Sequence, residues 1–329
     1  MANTTSGGEF RLGDRRKLIL MAGGALLLGA FAGRISPARA QTKTIRVGCQ
    51  KYGSLILLKG RGTLEAALAP LGYSVVWSEF PAGPQLLEAM NVGAIDLGST
   101  GEAPPIFAQA AGAPLVYVGH EPPAPRGEAI LVPADSPIRT LADLKGKTIA
   151  LNKGSNVHYL LVRALEKAGI AYHDVKTAFL PPADARAAFE QGGVDAWAIW
   201  DPFQAAAEVA TSPRELVSGE GLVANRQFYL ADKSFVDAHG KALDAVLAQI
   251  GQLDVWANGA GDTVAAQLSR SVGIPANVLK VALERQTFGV TPLSAEVVAD
   301  QQKIADAFFA LGLIPKPINI TEVVRKAAS

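Results

Sequence analysis

The sequence predicts an α/β fold of two like lobes, each a parallel-type sheet flanked by helices, with a helical C-terminal part packed on the first lobe. Three observations predict it. Runs with strand spacing and runs with helix spacing alternate from Ile45 to Gly119 and again from Glu128 to Ser218, the βαβ pattern of a sheet with helices on both faces. Between the two series stands Glu121-Pro122-Pro123-Ala124-Pro125, a stiff stretch that cannot continue a sheet. Finally, Gly93-Ala94-Ile95-Asp96 is echoed by Gly192-Gly193-Val194-Asp195, each between a helix and a strand.

Taken in order, Ile45 to Cys49 reads as a strand, with Gln50-Lys51-Tyr52-Gly53 at its end. Leu55 to Leu71 has apolar residues at helical spacing and stops at Gly72. Tyr73 to Phe80 alternates as a strand, and Pro84 opens a helix through Met90. Ile95 and Leu97 mark a short buried strand, followed by the polar turn Gly98-Ser99-Thr100-Gly101-Glu102. Pro104 and Pro105 suit the first turn of the next helix, where a missing N–H is not needed. Leu115 to Gly119 completes the first series. Past the prolines come strand Glu128 to Val132, a short helix at Leu141 to Leu144, and strand Thr148 to Leu151. The polar turn Asn152-Lys153-Gly154-Ser155-Asn156 opens a helix that Gly169 ends. Strand Val175 to Leu180, helix Pro182 to Gln191 and strand Val194 to Ile199 follow, then Trp200-Asp201-Pro202, in which Asp201 suits an N-cap. After strand Glu215 to Ser218 and a glycine-containing return to Phe228-Tyr229-Leu230-Ala231, the remainder has helical spacing. The expected organisation is residues 41–121 with 229–329 as the first lobe and 126–221 as the second. Residues 122–125 and 222–228 form hinge crossings, with a ligand cleft between the lobes.

The 329 residues are 49% hydrophobic and 19% charged, with a formal net charge of +1. That excludes disorder and gives no global attraction to nucleic acid or to acidic membranes. Cys49 is the one cysteine, so an internal disulfide is ruled out, and the four histidines are scattered. No metal site and no cofactor are expected. At the N-terminus, Arg15-Arg16-Lys17, the apolar run Leu18 to Ala32 and an Ala-x-Ala ending at Ala40 form the n-, h- and c-regions of an export signal. Residues 1–40 are therefore expected to be removed near Ala40, leaving a periplasmic protein. The paired arginines suit the twin-arginine route, although a plain basic n-region has the same look.

In an open α/β sheet, ligands sit beyond the carboxyl ends of the strands. Those ends carry Gln50, Gly83, Ser99, Thr100, Gly101, Glu102, Gly154, Ser155, Asn156, Trp200 and Asp201. Hydroxyls, amides, glycines and helix starts of this kind receive a small oxyanion through backbone N–H groups and helix dipoles, with no full neutralising charge required. Several residues keep two readings. Ser155 and Asn156 serve as N-caps or as ligand donors, and His158 as a packing residue or a pocket member. Glu102 is a helix-start charge or a partner for a ligand amine. Lys51 and Lys153 attract an anion or are merely solvated. Trp200, facing away from Trp197 and Ile199, suits an apolar wall. Paired catalytic carboxylates and a Gly-x-Ser-x-Gly elbow are absent from the sequence, and the glycines near Gly48 are too irregular for a dinucleotide fingerprint.

Phe80-Pro81-Ala82-Gly83-Pro84-Gln85, Gly98-Ser99-Thr100-Gly101, Pro104 to Gly112, Pro182 to Phe189 and Asp195-Ala196-Trp197-Ala198-Ile199-Trp200-Asp201-Pro202 together resemble the aliphatic sulfonate-binding proteins of bacterial ABC importers. The resemblance runs from about Ile45 to Pro315. Leu141 to Lys147 is shared more widely, with taurine-, nitrate- and thiamine-precursor-binding relatives. The resemblance implies a type II periplasmic binding fold, a monomer that closes on an alkanesulfonate and docks on a membrane permease. The turns at Ser99–Gly101 and Ser155–Asn156 would hold the sulfonate, and Gln50 and Trp200 would frame its tail. A simple Sec signal would be usual, and the paired arginines depart from that. Alternatives are another small oxyanion (taurine, nitrate or a sulfate ester), a sensor subunit, or a thiamine-precursor enzyme on the same frame, for which Cys49 at a strand end is the best hint.

Overall fold

A computed structural model describes residues 42–326; the export signal expected at residues 1–40 lies outside the described residues. The first sheet is built from β1 (Lys43–Cys49), β2 (Tyr73–Glu79), β3 (Leu97–Gly101) and β4 (Leu115–His120), with helices α1 (Ser54–Arg61), α2 (Thr63–Leu68), α3 (Gly83–Asn91) and α4 (Pro104–Ala110) between them. The second sheet holds β5 (Glu128–Val132), β6 (Thr148–Leu151), β7 (Lys176–Phe179), β8 (Ala196–Trp200) and β9 (Arg214–Ser218), with α5 (Asn156–Lys167), α6 (Pro182–Glu190) and α7 (Phe203–Thr211). The chain then returns through β10 (Gln227–Asp232) to the first sheet and ends in α8 (Lys233–Ala238), α9 (Gly240–Asn258), α10 (Gly261–Val272), α11 (Ala276–Leu283) and α12 (Ala295–Ala310). The return strand begins inside the stretch 222–228 that the sequence reading gives to the crossing.

Strand order is β2-β1-β3-β10-β4 in the first sheet and β7-β6-β8-β5-β9 in the second. Both sheets are mixed rather than wholly parallel. β10 runs antiparallel to β3 and β4, and β5 runs antiparallel to β8 and β9. In each sheet the fourth position is taken by the strand that enters from a crossing, and the crossing reverses its direction. β4 pairs with no strand other than β10 among the described residues.

Both faces of each sheet are covered, which is why the strands read as near-continuous apolar runs. Ile45, Val47, Val116, Val118 and Tyr229 pack against α1, α9 and α10 on one face, while Leu115, Tyr117, Phe228 and Leu230 face α3, α4 and α12 on the other. In β5, Ile130 and Val132 join the cluster under α5, and Ala129 and Leu131 the cluster under α6 and α7. The helix expected from Leu55 to Leu71 is broken at Gly62. That residue stands at φ 65°, a left-handed conformation that caps α1 and restarts the chain as α2.

The sequence echo has a physical basis. The Asp96 carboxylate accepts the Arg46 N–H at 2.7 Å, and the Asp195 carboxylate accepts the Thr148 N–H at 2.7 Å. In both lobes the aspartate after Gly-x-aliphatic pins the first strand of a parallel pair. Asp96→Ala is therefore expected to destabilise the fold by about 1–3 kcal/mol, because the Arg46 N–H loses its acceptor. The exposed Asp195→Ala should cost less. Urea denaturation measures both, and neither change should alter ligand affinity.

Candidate functional site

A cavity lies between the two sheets, at the carboxyl ends of β1, β3, β4 and β8. Helix starts converge on it. α1 opens after Tyr52 and Gly53, α3 at Gly83, α5 at Ser155 and Asn156, and α7 at Pro202 and Phe203. The first-turn N–H groups of a helix have no acceptor within the helix, so each start contributes roughly 0.3–1 kcal/mol toward a bound anion. Pro81, Pro104, Trp200 and Phe203 give the cavity apolar walls, the last two as an edge-to-face pair with centroids 6.1 Å apart. The enclosed volume is about 80 Å³, room for a handful of water-sized groups.

Of the residues picked out on sequence grounds, Gln50, Gly83, Ser99, Gly101, Ser155, Asn156, Trp200 and Asp201 line this cavity, as does Lys51. Gln50 donates its side-chain amide to the Ser99 carbonyl at 3.1 Å, which fixes the two turns against each other. Ser155 caps nothing with its side chain; its hydroxyl donates to the Asn152 carbonyl at 2.7 Å. Asn156 joins the lobes. Its side-chain oxygen accepts the Ala103 N–H at 3.2 Å, and its amide donates to the Asn225 side chain at 2.6 Å. Gly101 makes that approach possible, because a Cβ at this position would fall on the Asn156 amide. Asp201 does not cap a helix starting at Pro202. α7 begins at Phe203, and the Asp201 carboxylate accepts the Ala205 N–H one turn in, at 3.0 Å.

Four candidates are not among the residues that line the cavity, and each is engaged elsewhere. Thr100 is buried and its hydroxyl donates to the Gly101 carbonyl. Glu102 accepts the N–H groups of Asn225 and Arg226 at 3.2 and 3.1 Å, so it holds the return crossing rather than a ligand. Burial pushes its carboxyl up to about 7 against those two hydrogen bonds. Gly154 packs against the Phe107 ring, with φ 72°. His158 is buried among Phe107, Tyr172, Phe179 and Phe308. Its Nδ1 accepts the Gly154 N–H at 3.2 Å, so the ring proton is on Nε2, 2.6 Å from the Tyr172 hydroxyl. Burial, with Lys153 adding to it, lowers its pKa to about 4 and keeps the ring neutral. Lys153 itself lies over the Phe179 ring.

The sequence reading missed the cation. Arg285, just after α11, lines the cavity and reaches across to the second lobe, where its guanidinium pairs with Asp201 at 3.3 Å and with Glu208. The tail was expected only to pack on the first lobe, yet Val278 and Ala282 of α11 also pack on Ala205 of α7. Nothing in the spacing around Leu283-Glu284-Arg285-Gln286 marks it as a site. Glu121, Asn225 and Gln286 line the cavity as well, and the Tyr52 hydroxyl, another lining group, is buried without a hydrogen-bond partner among the described residues.

A cavity walled by both lobes, with helix starts and a guanidinium directed into it, defines the class of two-lobed solute-binding proteins. Comparison with known proteins agrees with that class. Residues 79–250 match the family described as NMT1/THI5 like. The chain is 46% identical, over 93% of its length and 96% of the relative's, to a protein of Escherichia coli (strain K12) named as an aliphatic sulfonates-binding protein. Among solved structures it is similar to the alkanesulfonate-binding protein SsuA from Xanthomonas axonopodis pv. citri bound to MOPS. There the TM-score is 0.84 and the identity 44%, over 88% of this chain and 100% of that one. The periplasmic aliphatic sulphonate binding protein SsuA from Escherichia coli gives a TM-score of 0.79 and 46% identity, over 87% of this chain and 93% of that one. The chain belongs to the NMT1/THI5-like family and, within it, to the aliphatic sulfonate-binding proteins.

Proposed function

We propose that this chain is the extracytoplasmic receptor of an ABC importer, capturing aliphatic sulfonates between its lobes and presenting the closed form to a membrane permease for sulfur acquisition. The observation that carries the reading is the inter-lobe cavity, where helix starts from both lobes and the Arg285 guanidinium meet beside an aromatic wall. In this reading the sulfonate sits between the starts of α3 and α5 and accepts from Arg285, while its tail runs along Trp200 and Phe203. Ser99, Gly101 and Asn156 frame the sulfonate end, and Gln50 keeps their turns in register. A ligand that touches both lobes favours the closed arrangement by the difference in its contacts to the two states.

The lobes comprise residues 41–121 with 229–329, and 126–221. The chain acts as a monomer after cleavage near Ala40, by the twin-arginine or the Sec route. Against an enzymatic reading on the same frame, Cys49 points into the core of the first lobe, and burial pushes its thiol up to about 12, so it is no nucleophile for a ligand in the cavity.

Calorimetric titration with methanesulfonate, butanesulfonate and octanesulfonate is the direct test. The expected result is saturable binding of at least one of the three. Clear binding of taurine, nitrate or a sulfate ester with no response to any alkanesulfonate would sink the reading.

A further inference from the structure

Buried carboxyls lie under the cavity. Glu121, the residue after β4, lines it while being 3% exposed. All its side-chain hydrogen-bond partners are uncharged: the Tyr229 hydroxyl, the Gln286 amide at 3.0 Å and the Ser54 hydroxyl at 3.5 Å. The same Ser54 hydroxyl donates at 2.6 Å to Asp254 of α9, whose other oxygen has no partner among the described residues. From the second lobe Asp201 lines the same cavity, with Glu208 behind it, and both share the one guanidinium of Arg285. From β1's end come Lys51, exposed at the rim, and the Tyr52 hydroxyl. His120 turns its ring away, to Thr291 and to the Glu121 carbonyl.

With every carboxyl in this group ionised, Glu121, Asp201, Glu208 and Asp254 carry four negative charges, and among the described residues the cations lining the cavity are Arg285 and Lys51. A sulfonate is the anion of a strong acid. It brings one more negative charge and cannot bring a proton with it. In a partly enclosed cavity that added charge is costly unless a neighbouring carboxyl gives up its own. Arg285 helps to keep Asp201 ionised. Of the two carboxyls that line the cavity among the described residues, Glu121 is the one without a cationic partner and so the group placed to change.

We propose that sulfonate capture is coupled to uptake of a proton by Glu121, so that the receptor holds its ligand more tightly as its surroundings acidify. The coupling rests on the sulfonate reading above. Burial already pushes the Glu121 carboxyl up to about 7, with Asp254 adding to the shift and the hydrogen bonds from Tyr229, Gln286 and Ser54 opposing it. The free protein is then part-protonated near neutrality, and a bound anion raises the carboxyl further. The sign follows. Affinity is greatest and flat below the free value, and falls as pH rises from there toward the bound value, by at most about tenfold per pH unit for one proton.

The test uses butanesulfonate, which has no titratable group in this range, and buffers that are not themselves sulfonates. Titrations at pH 7 in bis-tris and in maleate, whose ionisation enthalpies differ, count the protons; the expected result is a net uptake of up to about one proton. Between pH 7 and 8 the wild-type Kd should weaken several-fold. Glu121→Gln mimics the protonated carboxyl and should bind with a flat profile and no uptake, and at pH 8 no more weakly than wild type. Asp201→Asn should keep the pH slope. Zero proton uptake by the wild type, or a slope that survives in Glu121→Gln, overturns the proposal. If Glu121→Gln fails to fold, the wild-type proton count decides alone. Binding with a flat pH profile defeats this coupling only, whereas no butanesulfonate binding from pH 5.5 to 8.5 defeats the sulfonate reading and the coupling with it.

Discussion

Arg285→Gln should weaken alkanesulfonate binding by about 10- to 100-fold. A charge-assisted hydrogen bond contributes roughly 1.5–3 kcal/mol, and each 1.4 kcal/mol is about tenfold in Kd. The loss has a second source. Arg285 is the group that pairs with Asp201 and Glu208 across the cleft, and without it both carboxylates face the incoming anion unpaired. Arg285→Lys keeps the charge but loses the planar fork that serves two partners at once, so it should fall between the other two. Calorimetry gives the affinities, and thermal unfolding of the ligand-free variants separates a binding defect from a folding one. An Arg285→Gln variant that binds butanesulfonate as wild type does would remove Arg285 from the ligand's surroundings.

Gly101→Ala should weaken binding to a similar degree by a different route. The added methyl falls on the Asn156 amide, which cannot swing aside without giving up Ala103 and Asn225. Forcing a methyl into a packed contact costs about 1–3 kcal/mol. Gly101 and Asn156 come from different lobes, so the strain falls on the arrangement that brings them together. Affinity should therefore drop by roughly 5- to 100-fold, while the unfolding midpoint of the ligand-free protein changes little. Small-angle scattering supplies the decisive readout. Butanesulfonate should contract the wild type and no longer contract Gly101→Ala. Normal contraction and normal affinity would show that the Gly101–Asn156 contact does not limit closure.

How much of this was legible in the sequence differs by element. The alternation of strands and helices was readable because both sheets are covered on both faces, so strands such as Ala196–Trp200 announce themselves as apolar runs ending in polar turns. The echo at Asp96 and Asp195 was readable too, although its work is to pin strands rather than to touch a ligand. The reversal of β5 and β10 was not readable, because strand direction is set by how the crossings thread and leaves no mark on alternation. At the site, turns that lie at strand ends were found because position along a strand predicts their place. Arg285 was invisible for the opposite reason: only the folding of the tail across both lobes brings it to the cavity. His158 and Glu102 do not line the cavity. Each sits one or two residues from a lining position, yet one ring is enclosed by aromatic side chains and one carboxylate is consumed by backbone N–H groups.

The place of β10 has a consequence for how the chain is made. β5 to β9 are continuous in sequence, so the second lobe has all its strands once Ser218 has been synthesised. The first lobe does not. Its fourth strand has no sheet partner until β10 arrives, and the face of its sheet that α1 and α2 begin to cover is completed only by α9 and α10. Closing that sheet joins segments more than a hundred residues apart, a slow and entropically costly step. The lobe that begins first is thus completed last.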